Sequence, residues 1–548
     1  ATNPCANLIV GTGGAAAELR YHGGAAVTLT VNGNLTIASN GSVLAPSSGT
    51  ITAHALTVGG TNSAHSSGNI INNGILDLNI GTAGVICNLR GRIDGSLSGT
   101  GGTNDFFSIT VDKSSAGLTL EAMFDITIPI TMNSPTASAT RLTITNGTFR
   151  ISSASTLTPY FGTQTLCAGT GRLWLNHASA SLGAVGAGTA TGAGSPTFSG
   201  EFRIDNGSFA YGSGNNTATF STNGALRMNG GTFTMYGAIS FSSASTVQFV
   251  HNAGTISIDP QAANNGTATT LSVGASTTCV LAGGDIVIVD PHAATGGTAV
   301  AFSSGSAKAV FGGNLKIGDG VSTTSGGVLS NTSGFGLSLG FPVYNLIIDN
   351  RTDASNSRMA RLITGSSVIH NNLTVNANGY LFLGSSTTGQ NLIVRGTSIT
   401  NAGTISGNHP TGTAAPIGAL YVQSYAGNGI VDISGAGSYL NIATISVENY
   451  TSNTLTITTG STLKTNRVNL FTGSLNPANL SIGNSSSNAN ENPTLQFGGV
   501  SSGLYAAGTF TAAPTYDETE GPKALIYSTS NALHTMGSNN EIGTGAQT

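Results

Sequence analysis

Short runs in which apolar and polar side chains alternate recur from one end of the chain to the other. They include Val27-Thr28-Leu29-Thr30-Val31, Ile75-Leu76-Asp77-Leu78, Phe233-Thr234-Met235-Tyr236, Ile286-Val287-Ile288-Val289, Leu373-Thr374-Val375 and Thr454-Leu455-Thr456-Ile457. Alternation puts every second residue on one face of an extended chain, so each run predicts a short strand with one face toward a core. Between the runs stand Asn-Gly pairs at Asn32, Asn40, Asn73, Asn146, Asn206, Asn223, Asn229, Asn265, Asn378 and Asn428. Asn and Gly tolerate positive φ, so these pairs predict corners. No stretch of a dozen residues keeps an i, i+3, i+4, i+7 apolar pattern, and 78 glycines would penalise a helix anywhere. The chain is expected to be all-β with very little helix.

Strand starts follow one another so closely that three strands with their corners use about 20 to 28 residues, the size of one solenoid turn. Antiparallel sandwiches space strands similarly, but 548 residues of sandwich should break into domains joined by linkers, and no linker is evident. The expectation is a parallel β-helix of roughly 20 coils of about 24 residues. Residues 1–31 read as an N-terminal edge with the first coils, 32–513 as the solenoid, and 514–548 as a C-terminal cap or docking segment, because Asp517, Glu518, Glu520 and Lys523 cluster there. Phe107-Ser108-Ile109-Thr110-Val111-Asp112 and Tyr344-Asn345-Leu346-Ile347-Ile348-Asp349 echo one another, which hints at two related halves meeting near 335–343.

Charge changes the picture more than any motif. Only 7% of residues are charged, where an ordinary soluble domain has about 25%, and the net charge is -4. No basic field exists to hold nucleic acid or an anionic membrane, and no apolar run approaches the roughly 20 residues of a membrane span. The opening Ala1-Thr2-Asn3-Pro4-Cys5 reads as a mature, exported chain after signal-peptide removal, hence extracellular or at the cell surface. Cys5, Cys87, Cys167 and Cys279 are too dispersed for a metal knuckle. They read either as buried free thiols or, for Cys5 and Cys87, as a disulfide tying the terminus to the first coils.

Candidate chemistry is sparse. Gly336-Leu337-Ser338-Leu339-Gly340 fits the nucleophile-elbow spacing, but no helix pattern follows and glycine is too common for the spacing to carry weight. Polysaccharide cleavage needs carboxylates gathered in a groove, with or without a cation, and the nearest approach is Asp349, Arg351 and Asp353, beside Arg358 and Arg361. A solvated corner with local ion pairs is the preferred reading of those residues, which leaves them weak candidates for a carbohydrate groove. Asp285 and Asp290 are five apart and project to opposite faces of a regular strand, so they are no dyad. Trp174 shares a strand face with Arg172 and Asn176, as an exposed sugar platform or as a packed residue. No catalytic residue, metal site or cofactor is expected.

Tyr344-Asn345-Leu346-Ile347-Ile348-Asp349-Asn350, Asn372-Leu373-Thr374-Val375-Asn376-Ala377-Asn378-Gly379 and Ile399-Thr400-Asn401-Ala402-Gly403-Thr404-Ile405 resemble coils of the β-strand-repeat adhesins and matrix proteins that gram-negative bacteria export, particularly by the type IX pathway. The resemblance implies a non-catalytic surface protein and supplies no catalytic residues. Such proteins usually end in a sorting module, which Glu541 to Thr548 does not resemble, so a processed product, a fragment and a filament subunit all stay open. Three functions are therefore weighed. The first is a structural fibre subunit or adhesin stalk that self-associates head to tail and touches carbohydrate or a host surface. The second is a tailspike-like β-helix that binds or degrades polysaccharide. The third is binding of ice or another surface through Thr-x-Thr pairs such as Thr28/Thr30, Thr143/Thr145, Thr232/Thr234 and Thr454/Thr456, which lack a constant period in the sequence.

Overall fold

The protein was analysed as a computed structural model. It describes residues 4–406 except 48–53, 61–67, 82–83, 114–121, 135–140, 160–164, 184–194, 213–215, 259–268, 290–297, 321–334, 350–359, 364, 378, 384–389 and 397. Beyond 406 it describes separate strands between Ala419 and Ser528, with side chains only at Leu420 and Tyr421. Two compact units are present: residues 1–261, 273–284 and 306–309 form the first, and 262–272, 285–305 and 310–548 the second.

Among the described residues every regular element is a strand, and each unit is a parallel β-solenoid. In unit 1 one inward column runs Leu35, Ile70, Leu97, Ile126, Ile151, Leu175, Ile204, Met228, His251, each residue opposite the next on the following turn. All nine are buried. The turn length varies from 23 residues, Met228 to His251, to 35, Leu35 to Ile70. A constant turn of about 24 residues, and the count of roughly 20 coils built on it, is therefore corrected.

Like side chains stack inside. Phe220 lies between Phe198, 4.7 Å away at 12°, and Phe241, 4.8 Å away at 13°. Repeated offset stacking of this kind adds about 0.5–1.5 kcal/mol per pair to the burial of the rings. In unit 2 the same stacking joins Phe302 to Phe341 at 4.5 Å. The second unit repeats the ladder, with Ile317 opposite Ile348 and Ile348 opposite Val375.

Among the described Asn-Gly pairs, positive φ occurs at Asn223, Gly147 and Gly207, while Asn265, Asn378 and Asn428 lie outside the described residues; where the chain bends the reason is steric as well as conformational. In unit 1 the strands Glu201–Tyr211, Ala225–Met235 and Gln248–Ile258 each bend from one sheet into the next without breaking. Gly207, Gly231 and Gly254 sit at the bends with φ of +88°, +61° and +87°. A Cβ on Gly254 would lie 2.5 Å from the carbonyl oxygen of Gly230 on the preceding turn. Successive backbones approach too closely here for any side chain.

Candidate functional site

One outward sheet face of unit 1 carries a column of charged residues around a tryptophan. Strand alternation sends Asp125, Arg150, Trp174, Arg203 and Arg227 outward from five consecutive turns, and the parallel register stacks them in one column. Parallel strands lie about 4.8 Å apart, so residues far apart in sequence become neighbours.

Trp174 is the centre of this column. The Arg150 guanidinium lies 5.0 Å from its ring centroid and that of Arg203 4.2 Å, one from each flanking turn. Its indole Nε1 donates to Asp205 Oδ2 at 3.0 Å. Asp205 also accepts from Arg203 Nη2 at 2.7 Å and from Asn229 Nδ2 at 2.6 Å. Partial burial pushes the Asp205 carboxyl up, but the hydrogen bonds from Arg203, Asn229 and Trp174 outweigh it, and the net effect holds the group below its ordinary range. At the other end of the column Arg150 pairs with Asp125, which keeps the guanidinium firmly charged. Arg227 lies 3.9 Å from Glu201. Arg172 and Asn176 flank Trp174 on the same outward face, as the alternation predicted.

This arrangement fixes charge and does not mobilise it. A general acid needs a carboxyl held protonated near neutral pH, whereas Asp205 is held ionised. A sugar platform needs an open aromatic face, whereas guanidinium groups lie over Trp174 from both sides.

The other sequence candidates are dispersed. Asp349 follows the strand Asn345–Ile348 in unit 2, its backbone N–H donating to Ile317 O at 2.8 Å and its carbonyl accepting from Gly320 N at 3.0 Å. Arg351 and Asp353 lie outside the described residues, as does Arg358. Ser338 lies within the strand Phe335–Leu339 and pairs with Ala301, so the elbow geometry is absent there. Asp285 accepts from Asn314 at 2.6 Å and from Lys316 at 2.7 Å, an inter-turn contact. Asp290 is outside the described residues. Among the described residues no group of three or more His, Cys, Asp or Glu could hold a metal ion.

The disulfide expectation is corrected. All four cysteines are free thiols. Cys5 pairs with Val31, whose column continues through Val58 to Leu89, whereas Cys87 stands two residues before Leu89 and opposite Leu56 and Ile109. Three turn spacings of about 4.8 Å therefore separate the two thiols along the axis, too far for a bridge.

The sequence identified Trp174 and its strand face but not Arg150, Arg203 or Asp205, because only the register, with offsets of 24 and 29 residues, brings them together. Comparison with known protein families, curated proteins and solved structures finds no significant match. No helix among the described residues is long and apolar enough to cross a membrane.

Proposed function

We propose that the chain is a non-catalytic structural protein of the extracellular surface, a subunit of a fibre or the stalk of an adhesin. The observation that carries this reading is the use made of its few carboxylates. Asp125, Asp205, Asp285, Asp105 and Asp112 each accept a hydrogen bond from a side chain on a neighbouring turn, so the ionisable groups join turns to one another. A solenoid whose scarce charges brace its own stack suits load-bearing or spacing, and its regular sheet edges suit addition of further copies head to tail.

The test is electron microscopy of the purified full chain across a concentration series, with turnover of a polysaccharide panel measured in parallel. Fibres or concentration-dependent end-to-end rods without turnover support the reading. Turnover lost in an Asp349→Asn or Asp205→Asn variant would overturn it in favour of a polysaccharide-degrading β-helix.

A further inference from the structure

The Asn-Gly corners are chemically unequal. In such a pair the glycine backbone nitrogen can attack the asparagine side-chain carbonyl carbon. An N–Cγ bond forms, the Cγ–Nδ2 bond breaks, and ammonia leaves carrying the amide proton; water then opens the cyclic imide at either carbonyl to give aspartate or isoaspartate. Glycine offers no Cβ to hinder the attack. A fold suppresses the reaction by holding either partner in a hydrogen bond.

Six of the described corners are held. Asn40 Nδ2 donates to Ala15 O at 2.6 Å, and Asn73 Oδ1 accepts from Thr100 N at 3.0 Å. Asn146 donates to Asp112 at 2.8 Å and accepts from Thr170 at 2.7 Å. Asn229 donates to Asp205 and accepts from Asn252 at 2.8 Å. After Asn32 and Asn223 the nucleophile itself is tied: Gly33 N donates to Ala6 O and Gly224 N to Ser221 O, both at 2.6 Å.

Asn206 differs at its side chain. It is exposed, and its side chain has no hydrogen bond among the described residues. It stands at the bend of Glu201–Tyr211, where the register lapses on both sides. Toward the preceding turn Asn176 opposes Asn206 and then Ser181 opposes Ser208; toward the following turn pairing resumes only at Ser208 and Thr232.

We infer that Asn206 is the deamidation site of this face, the first of the described Asn-Gly corners to convert. Its product adds a carboxylate beside Asp205, and the isoaspartyl form lengthens the main chain by one methylene at the bend. The intact full chain would be incubated at mildly alkaline pH, digested, and every Asn-Gly peptide followed by mass spectrometry with fragmentation that distinguishes isoaspartate. The Asn206 peptide should convert about tenfold faster than those of Asn146 and Asn229, and the rates should converge in denatured chain. Equal folded-state rates, or an Asn206 that stays intact while the denatured peptide converts, would overturn the assignment. An Asn252→Ala variant, which removes the donor onto Asn229, should raise the Asn229 rate several-fold. No change there would sink the argument that these hydrogen bonds protect.

Discussion

Asn229 donates its side-chain amide to Asp205 at 2.6 Å across 24 residues of sequence, and its own side-chain oxygen accepts from Asn252 on the next turn. The same polarity recurs: Thr170 donates to Asn146 and Asn146 to Asp112 in unit 1, and Asn371 donates to Asn345, Asn345 to Asn314 and Asn314 to Asp285 in unit 2. Each amide in such a ladder passes a donor toward the lower-numbered turn. The last donor needs a partner that only accepts, which an ionised carboxylate is.

Interior and terminal members of a ladder should therefore differ. Asn229→Ala deprives Asp205 of a donor and Asn252 of an acceptor, and should cost about 1–3 kcal/mol; Asn252→Ala removes the exposed end alone and should cost nearer 0.5–1.5 kcal/mol. Hydrogen exchange on the strands Glu201–Tyr211 and Ala225–Met235 reads the difference locally. Equal costs would mean that the ladder polarity has no energetic content.

Gly254→Ala should be among the worst single substitutions in unit 1. The position combines φ of +87° with a Cβ that would meet the Gly230 carbonyl oxygen at 2.5 Å. Left-handed strain costs about 1–2 kcal/mol before the clash is counted. Gly14→Ala meets nothing within 4 Å and should be nearly silent. Loss of soluble yield or a lowered unfolding midpoint for the first variant but not the second is the expected result.

The fold was legible because its signals are local. Alternation at Phe233-Thr234-Met235 marks a strand, and Asn229-Gly230 marks a corner whatever the register. The site was not legible because its members meet only through the register, and uneven turns conceal the register. Trp174 reaches Arg150 at an offset of 24 residues and Arg203 at 29. The same unevenness hid a column of small polar residues, mostly threonine. Thr30, Thr57, Asn88, Thr110 and Thr143 stand opposite one another turn by turn, although their sequence spacing is irregular.

Asp205 should make unit 1 acid-sensitive. Its carboxyl is held below its ordinary range, chiefly by Arg203 and Asn229 against the opposing effect of burial. The native state therefore stays ionised at a pH where the unfolded chain, near pKa 3.9, has taken up a proton. The stability it contributes is fully present above that value and is lost as the pH falls through the depressed folded value. Trp174 is the single tryptophan and donates to Asp205, so its fluorescence reports the site directly. Acid titration should shift that emission in the natural chain, and Asp205→Asn should flatten the response.

Thiol chemistry separates Cys5 from the rest. Burial pushes the Cys87 and Cys279 thiols up to about 12, and that of Cys167 is also raised. All three are buried, while Cys5 is partly exposed. A thiol-reactive probe should label one cysteine in the folded chain and four after denaturation. Fewer than four labelled under denaturing, non-reducing conditions would reveal a disulfide that the fold does not place.

Lys113 carries the most exacting test of the packing. It is fully buried, its Nζ donates to Arg90 O at 2.9 Å and lies 5.7 Å from the Phe124 ring centroid. Burial pushes its pKa down to about 8, with Asp94 opposing the shift. The unfolded chain keeps that proton up to roughly pH 10.4, so between these two values the unfolded state binds more protons than the native one. Stability must then rise with pH across that window, by an amount on the order of 3 kcal/mol from this residue. Lys113→Met keeps the apolar stem and removes the amine. Near pH 7 the variant should be at least as stable as the natural chain, because a buried charge is replaced by a side chain that needs no polar partner. The difference between the two proteins should shrink as the pH is raised toward 10, since the natural Lys113 is then neutral in the native state. Urea unfolding at pH 7, 8.5 and 10 measures that difference. A constant gap, or one that widens with pH, would mean that Lys113 reaches solvent and is not part of the core.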